Sequence, residues 1–328
     1  MMNKSEIGYC NFSWNPVTGC RTGCEYCYAA KQAKRFSGDV RINRGSGQLQ
    51  RDENGLYILE KPFKNQSGKV IPCPVGFAPT LHRYRLASPK QKKKAANILI
   101  CSLSDLMAPW IPEKWIIEVF EACEAASWHN YLFLTRYPER YEQMSSTGQL
   151  PRSENFWYGT TVTRSADLDR IVYLPRKQHN QFISIEPVME AIDIEDLTFM
   201  DWIIVGAETG SRRGKVKPKR KWIEEILKMA RAAGIPILMK HSKEMEEIWG
   251  EELIQELPAA LSRPEDKPIP HCNDCEHHRA TERHYDSVKA TMMMNHTCEH
   301  GKTPHHIPGR YARTSPPWCP LRGEEIER

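Results

Sequence analysis

The chain has 328 residues, 40% of them hydrophobic and 27% charged, with 46 Lys and Arg against 41 Asp and Glu for a formal net charge of +5. This composition excludes a disordered or low-complexity chain and has room for one large α/β domain with a small appendage. No apolar run reaches transmembrane length, and residues 1–10 lack the charged-then-apolar pattern of a leader, so the expectation is a cytoplasmic protein that enters no membrane. Eleven cysteines gathered in clusters point to metal ligation in a reducing compartment rather than to a disulfide framework.

In chain order, residues 1–18 contain the β-prone stretch Y-C-N-F-S-W-N-P-V-T, read as the first strand. It runs into G-C-R-T-G-C-E-Y-C-Y, where Cys20, Cys24 and Cys27 form a C-x3-C-x2-C array with Tyr26 directly before the last cysteine. Three thiolates on one short loop suit a [4Fe-4S] cube held at three of its four irons, leaving the fourth open to a ligand. The alternative is a structural zinc loop. Zinc takes its cysteines in pairs with a second pair further on, and the next cysteine here, Cys73, stands alone in C-P-V-G. Residues 28–36 are compatible with a helix. Residues 37–96 read as an insertion, rich in Gly, Asn and charge up to 69, with an apolar island L-Y-I-L at 56–59 that suits a hairpin.

From Asn97 a regular alternation begins. Apolar runs at 97–103, 131–135, 156–162, 181–186, 202–207 and 236–240 are separated by helical patterns such as 113–126 and 222–233. Short continuous apolar strands alternating with amphipathic helices predict a parallel sheet covered by helices. With the first strand this makes about seven strands, suited to a partial (β/α) TIM-type barrel, with a doubly wound sheet as the alternative.

The strands end in polar residues, where a parallel barrel carries its chemistry. These ends supply Ser104 and Asp105, Thr135 and Arg136, Thr160 and Thr161, Ser184 and Glu186, Gly206 and Glu208, and Lys240 and His241. Glu186 and Glu208 directly follow apolar strands, in S-I-E-P and V-G-A-E-T-G, so each must be paired, hydrogen-bonded or functional if buried. Lys240 and His241 are the candidates for acid-base work. Cys101 and Cys123, conceivable as hydrogen-atom donors, read as core residues of their strand and helix.

The cysteine array is similar to the signature of the radical S-adenosylmethionine (SAM) superfamily, C-x3-C-x-aromatic-C. The chain also carries, in order, W-N-P-V-T-G-C at 14–20, S-L-S-D-L at 102–106, L-T-R-Y-P-E-R at 134–140, S-I-E-P at 184–187, D-W-I-I-V-G-A-E-T-G at 201–210 and I-L-M-K-H at 237–241. Over roughly 13–241 this set resembles a phage-associated radical SAM family of unknown function. The resemblance implies a partial barrel and a [4Fe-4S] cluster on Cys20, Cys24 and Cys27 beside Tyr26. It further implies SAM held on the open iron by groups such as Ser104, Asp105, Thr135, Arg136, Thr160, Thr161, Ser184 and Gly206, reductive cleavage to a 5′-deoxyadenosyl radical, and an electron donor such as flavodoxin or ferredoxin. Ala207 replaces a second glycine common in the family, and His241 replaces a usual glutamine.

Two further features bear on substrate and cofactors. Residues 212–221 carry seven cations in ten positions, Arg212, Arg213, Lys215, Lys217, Lys219, Arg220 and Lys221, directly after the strand-end Glu208. Such a run is a solvated face by default, but beside an open barrel mouth it suits a phosphate backbone. After a Pro-rich hinge, residues 258–328 hold eight of the twelve histidines with Cys272, Cys275, Cys298 and Cys319. These four thiolates, or three with a histidine such as His277, His278 or His300, suit a zinc ion, with an auxiliary Fe-S cluster as the rival. The resulting expectation is a radical SAM enzyme modifying a nucleic-acid base, for example by thymidine hypermodification or rearrangement in phage DNA. Its rivals are DNA-lesion repair of the spore photoproduct lyase kind and a non-enzymatic zinc protein that binds nucleic acid.

Overall fold

The structure, a computed structural model, describes residues 2–262 apart from 6, 176–178, 195, 196, 211 and 251, together with 278–280, 284–286, 291–293, 296–299 and 305–307. The chain divides into two compact units, Met1–Leu261 and Ser262–Arg328.

The first unit opens with β1 (Met2–Lys4), β2 (Phe12–Trp14) and β3 (Val17–Thr18), so the single first strand expected over 1–18 is three short ones. After the cysteine loop comes α1 (Tyr28–Arg35), then α2 (Val40–Gly45), β4 (Gln50–Arg51), β5 (Tyr57–Leu59), β6 (Thr80–His82) and α3 (Ser88–Gln91). Residues 50–59 form the expected hairpin, β4 against β5. It extends into a second sheet of order β3-β6-β5-β4 with its own small core of Leu59, Phe63 and Ile71.

The regular part then reads β7 (Asn97–Ile100), α4 (Glu113–Glu124), β8 (Asn130–Thr135), α5 (Glu139–Ser146), β9 (Phe156–Thr161), a 3-10 helix at Ser165–Tyr173, β10 (Asn180–Ile185), β11 (Trp202–Val205), α6 (Arg220–Ala233), β12 (Ile237–Met239) and α7 (Lys243–Trp249). The main sheet has the order β1-β2-β7-β8-β9-β10-β11-β12; β1 is antiparallel to β2 and every other pair is parallel. The protein is therefore a mixed α/β fold on a parallel sheet. Each new strand is added to the same side of the last, unlike a doubly wound sheet, whose order reverses at a switch point. Among the described residues β1 and β12 are the end strands and do not pair with each other, so no barrel closes; the outer side of β12 is bonded by residues 254–256.

The strand side chains alternate as the pleat requires. Ile98, Ile100, Tyr131, Phe133, Phe156, Tyr158, Ile183, Ile185, Ile203, Val205, Ile237 and Met239 point to the helix side and join one core with Trp115, Val119 and Phe120 of α4, Tyr141 and Met144 of α5 and Ile223 and Ile226 of α6. Leu99, Leu132, Trp157, Phe182, Trp202, Ile204 and Leu238 point the other way into a second cluster with Tyr9 and Leu261. The ends of the six successive strands β7 to β12 line one cavity, so the sheet curves around it. α6 ends at Gly234, whose φ of 67° is open to glycine, and α7 starts at Ser242, whose side chain accepts from the Met245 amide. No helix among the described residues is long and apolar enough to cross a membrane.

The second unit contains β13 (His278–Ala280), β14 (His284–Asp286), β15 (Thr291–Met293), β16 (His296–Cys298) and β17 (His305–Ile307), paired antiparallel as β13-β16-β17 and β14-β15.

Candidate active site

The cysteine loop is fixed at its start by Gly19. At φ 88° a Cβ there would lie 2.2 Å from the Ala78 carbonyl oxygen, so only glycine lets the two backbones approach. The Gly19 amide donates to Leu103 O (2.8 Å), Ser104 Oγ donates to Gly19 O (2.7 Å) and the Cys20 amide donates to Phe77 O (3.2 Å), pinning the loop between the inserted segment and the end of β7. Asn15, from the W-N-P motif, reinforces this by accepting the Leu103 amide at 2.8 Å. Further along, Thr22 Oγ1 lies 3.0 Å from Cys20 Sγ and 3.1 Å from the Tyr137 hydroxyl. Cys27 Sγ accepts from the Ala30 amide (3.4 Å) and so caps α1, whose last turn carries Lys34 and Arg35 at its negative end.

Cys20, Cys24 and Cys27 line one cavity of about 220 Å³. Facing them are the strand ends: Cys101 and Ser102, Thr135 and Arg136, Thr161, Ser184 and Glu186, Ala207 and Glu208, and Lys240. Burial raises the Cys20 and Cys24 thiols above the ordinary thiol range. Among the described residues no three Cys, His, Asp or Glu side chains converge as a closed metal site. Three thiolates lining one volume could hold an iron-sulfur cube, which takes each thiolate at a different iron.

The structure gathers most, but not all, of the residues named from sequence. Ser104 and Asp105 line the cavity but are already engaged. Ser104 holds Gly19, while Asp105 is buried and accepts from Thr135 Oγ1 (2.5 Å) and the Arg136 amide (2.8 Å). Burial raises the Asp105 carboxyl despite those bonds. Arg136 donates to the Tyr26 hydroxyl and also reaches Asp167 at 3.5 Å, tying the cysteine loop to the segment after β9. Burial pushes the Tyr26 phenol up to about 12, so it stays protonated. Thr161 lines the cavity, whereas Thr160, on the opposite face of β9, is buried and donates to Thr135 O at 3.0 Å; it is a strand tie and not a ligand group. Ser184 is 1% exposed, lines the cavity, and among the described residues its Oγ has no hydrogen-bond partner.

Glu186 and Lys240 form an ion pair at the cavity wall. Gly206 lies beneath it and does not itself line the cavity; a Cβ there would come within 3.0 Å of Glu186 Cγ and 3.4 Å of Lys240 Cβ, so glycine makes room for the pair. His241 departs from expectation. It is exposed, lies outside the cavity lining and faces Glu246 at 3.8 Å, because it continues one residue past Lys240 and the pleat turns it away.

The basic run also differs from a uniform cationic face. Arg212 makes a two-pronged pair with Glu208 (2.6 and 2.7 Å) and Lys215 pairs with Glu244 (2.9 Å), so both turn inward. The Arg212 bonds hold Glu208 below the usual carboxylate range. Lys219 lies over the Trp222 ring, and Arg220 and Lys221 pair along α6 with Glu224 and Glu225. Arg213, Lys217, Lys219, Arg220 and Lys221 are exposed. In the tail, Cys298 is buried, while Cys272, Cys275 and Cys319, with His277 and His300, lie outside the described residues.

Among the groups lining the cavity that sequence reasoning passed over or read as core are Tyr28 and Cys101. Tyr28, next to Cys27, donates its hydroxyl to Ser102 O at 2.9 Å. Cys101, read as core, is buried and also lines the cavity, in a left-handed conformation (φ 56°) that costs a non-glycine residue about 1 kcal/mol and turns the chain sharply out of β7. Nothing in C-S-L-S signals that turn, because it arises where the Cys101 amide donates to Trp14 O (2.8 Å) on the neighbouring strand.

Fold and site thus define an α/β protein whose curved parallel sheet opens onto a cavity walled by three cysteines of one loop. Residues 4–293 match the sequence profile of DUF5131, proteins of unknown function, and the chain belongs to that family. No curated protein matches it. Among solved structures it is similar to spore photoproduct lyase complexed with dinucleoside spore photoproduct, at 9% identity and a TM-score of 0.37, covering 63% of this chain and 58% of the lyase. A double mutant of that lyase with bound AdoMet and the same dinucleoside gives 8% identity and a TM-score of 0.36, covering 76% and 64%. The chain spans less than two thirds of the length of these lyases, and at such scores the likeness is loose.

Proposed function

We propose that this protein is a radical SAM enzyme built on a partial (β/α) barrel, with its [4Fe-4S] cluster on Cys20, Cys24 and Cys27 and a nucleic-acid base as substrate. The observation that carries the reading is that all three cysteines of the C-x3-C-x2-C loop line the same cavity as the polar ends of the parallel strands. When bound, the cluster and SAM supply reductive cleavage of SAM and, through it, hydrogen abstraction from substrate.

The chain's own residues supply position and exclusion of water. Ser104, Gly19 and Asn15 set the loop; Tyr26 and Arg136 clamp it against the β8 end. Ser184 offers an unpartnered hydroxyl to a ligand, since a buried hydroxyl without a bond costs about 1–3 kcal/mol that a bound polar group relieves. Thr161 lies one strand away. The Glu186–Lys240 pair presents acceptor and donor side by side at the substrate end and can hold or move a proton at Lys240 Nζ. The apolar cluster of Trp157, Phe182 and Ile204 closes the floor of the sheet. Nucleic acid is favoured as substrate by the exposed Arg213, Lys217, Lys219, Arg220 and Lys221, which follow the cavity-lining Glu208 and Thr209.

The test is anaerobic. The protein is reconstituted with iron and sulfide, SAM and dithionite are added, and 5′-deoxyadenosine is measured in wild type and Cys24→Ala. A brown protein whose EPR spectrum changes with SAM and which forms 5′-deoxyadenosine, both lost in the variant, supports the reading. A colourless protein that binds zinc and leaves SAM intact sinks it.

A further inference from the structure

The rim of the cavity carries a chain of charges that the proposed chemistry does not use. Glu25 sits between Cys24 and Tyr26, both cavity-lining, yet its own side chain is 53% exposed. Its Oε1 takes Arg164 Nη2 at 3.0 Å and its Oε2 takes Arg212 Nη1 at 3.1 Å. Arg164 follows β9 and Arg212 follows β11, so one exposed carboxylate bridges two loops from opposite flanks of β10. Arg212 is oriented by its two-pronged bond to the cavity-lining Glu208, which uses Nε and Nη2 and leaves Nη1 turned to Glu25. Met189 Sδ lies against Arg164 Nη2 at 3.5 Å.

Two guanidiniums converging on a pair of anionic oxygens at the mouth of a cavity are a seat for a tetrahedral oxyanion. A phosphate presents the same O–X–O edge as a carboxylate, and the exposed Glu25 gives up little when solvent or another anion replaces it. We propose that Arg164 and Arg212 form a phosphate clamp at the cavity mouth, that Glu25 occupies it in the free protein as a built-in competitor, and that a phosphodiester of the substrate displaces Glu25 on binding. The two-arginine seat stands on the geometry alone; the choice of a DNA phosphodiester as its occupant rests on the nucleic-acid reading above.

The experiment is fluorescence polarisation with a 5′-labelled twelve-residue oligothymidylate. The variants are Glu25→Gln, Arg164→Ala and, as a control for net charge, Glu121→Gln on the exposed side of α4. Glu25→Gln tightens binding by about twofold to fivefold, the worth of one exposed ion pair, and Glu121→Gln does not. Arg164→Ala weakens it and flattens the log–log salt dependence by about one. Both effects vanish for a methylphosphonate oligomer, which lacks the anionic oxygens. Free dTMP and inorganic phosphate are run as competitors: displacement by dTMP alone keeps the clamp and assigns it a mononucleotide. Equal binding by wild type and Glu25→Gln overturns the proposal, as does an Arg164→Ala protein that binds like wild type. 5′-Deoxyadenosine formation by the same wild-type preparation is read separately, so failure of the radical chemistry and failure of the clamp are distinguishable.

Discussion

The two faces of the main sheet are made of the same strands and do different work. On the helix side the positions are large and apolar for most of each strand, as in Phe156 and Tyr158 of β9 or Ile183 and Ile185 of β10, with small polar residues such as Thr135 and Thr160 only at the strand ends. On the concave side the character changes along each strand: Trp157 gives way to Gly159 and Thr161, Phe182 to Ser184 and Glu186, and Leu238 to Lys240. The lower half of the concave face is a plug and the upper half a site. A residue's contribution to stability or to chemistry is thus set by its height along the strand and the face on which it lies.

The sharpest way to break that contrast is to ask whether the plug is packed like the outer core. Phe182→Ala should cost about 3–5 kcal/mol, as should Phe156→Ala on the other face, read from urea unfolding midpoints. A loss under about 1 kcal/mol at Phe182 would mean that the concave face is loosely filled throughout. Next in size, Gly19→Ala should lose about 2–4 kcal/mol, because its Cβ meets the Ala78 backbone and its φ is left-handed.

Ser184→Ala separates site from core. Removing an unpartnered buried hydroxyl should leave stability unchanged or raise it by up to about 1 kcal/mol, while SAM affinity in equilibrium dialysis falls severalfold. A destabilised variant with unchanged SAM affinity would return Ser184 to the core.

The smallest effect is with pH. Glu208, Glu244 and Glu256 are held below the usual carboxylate range by Arg212, Lys215 and Arg231, and Asp167 is held low because the Thr163 bonds, Arg170 and Arg136 outweigh its burial. Groups with depressed folded values add stability that is present above the unfolded value, 4.5 for Glu, and lost as pH falls through the folded one. Asp105, raised by burial, works in the opposite sense and shallows the slope. The urea midpoint should therefore fall modestly below about pH 4.5. A rise on acidification would contradict these pairings.

The sequence by itself determined the strands of the main sheet between Asn97 and Lys240 and the helices α4 and α6, since apolar runs and 3.6-residue spacing act locally through burial of one face. The grouping of Cys20, Cys24 and Cys27 was legible as well, because spacing on eight consecutive residues needs no tertiary information, and the structure brings all three to one cavity. What lay beyond it were relations between segments distant in sequence. Periodicity could not separate Thr160 from Thr161, or Lys240 from His241, because which of two neighbours faces a ligand depends on the pleat and on the curvature of the sheet. Composition marked 212–221 as a cationic patch, but the partners that turn Arg212 and Lys215 inward, Glu208 and Glu244, are supplied by the folded chain. The same holds for the left-handed turn at Cys101 and for Glu25 between two arginines: both come from strands that meet only when the sheet is assembled, and long-range contact is what a local pattern cannot encode.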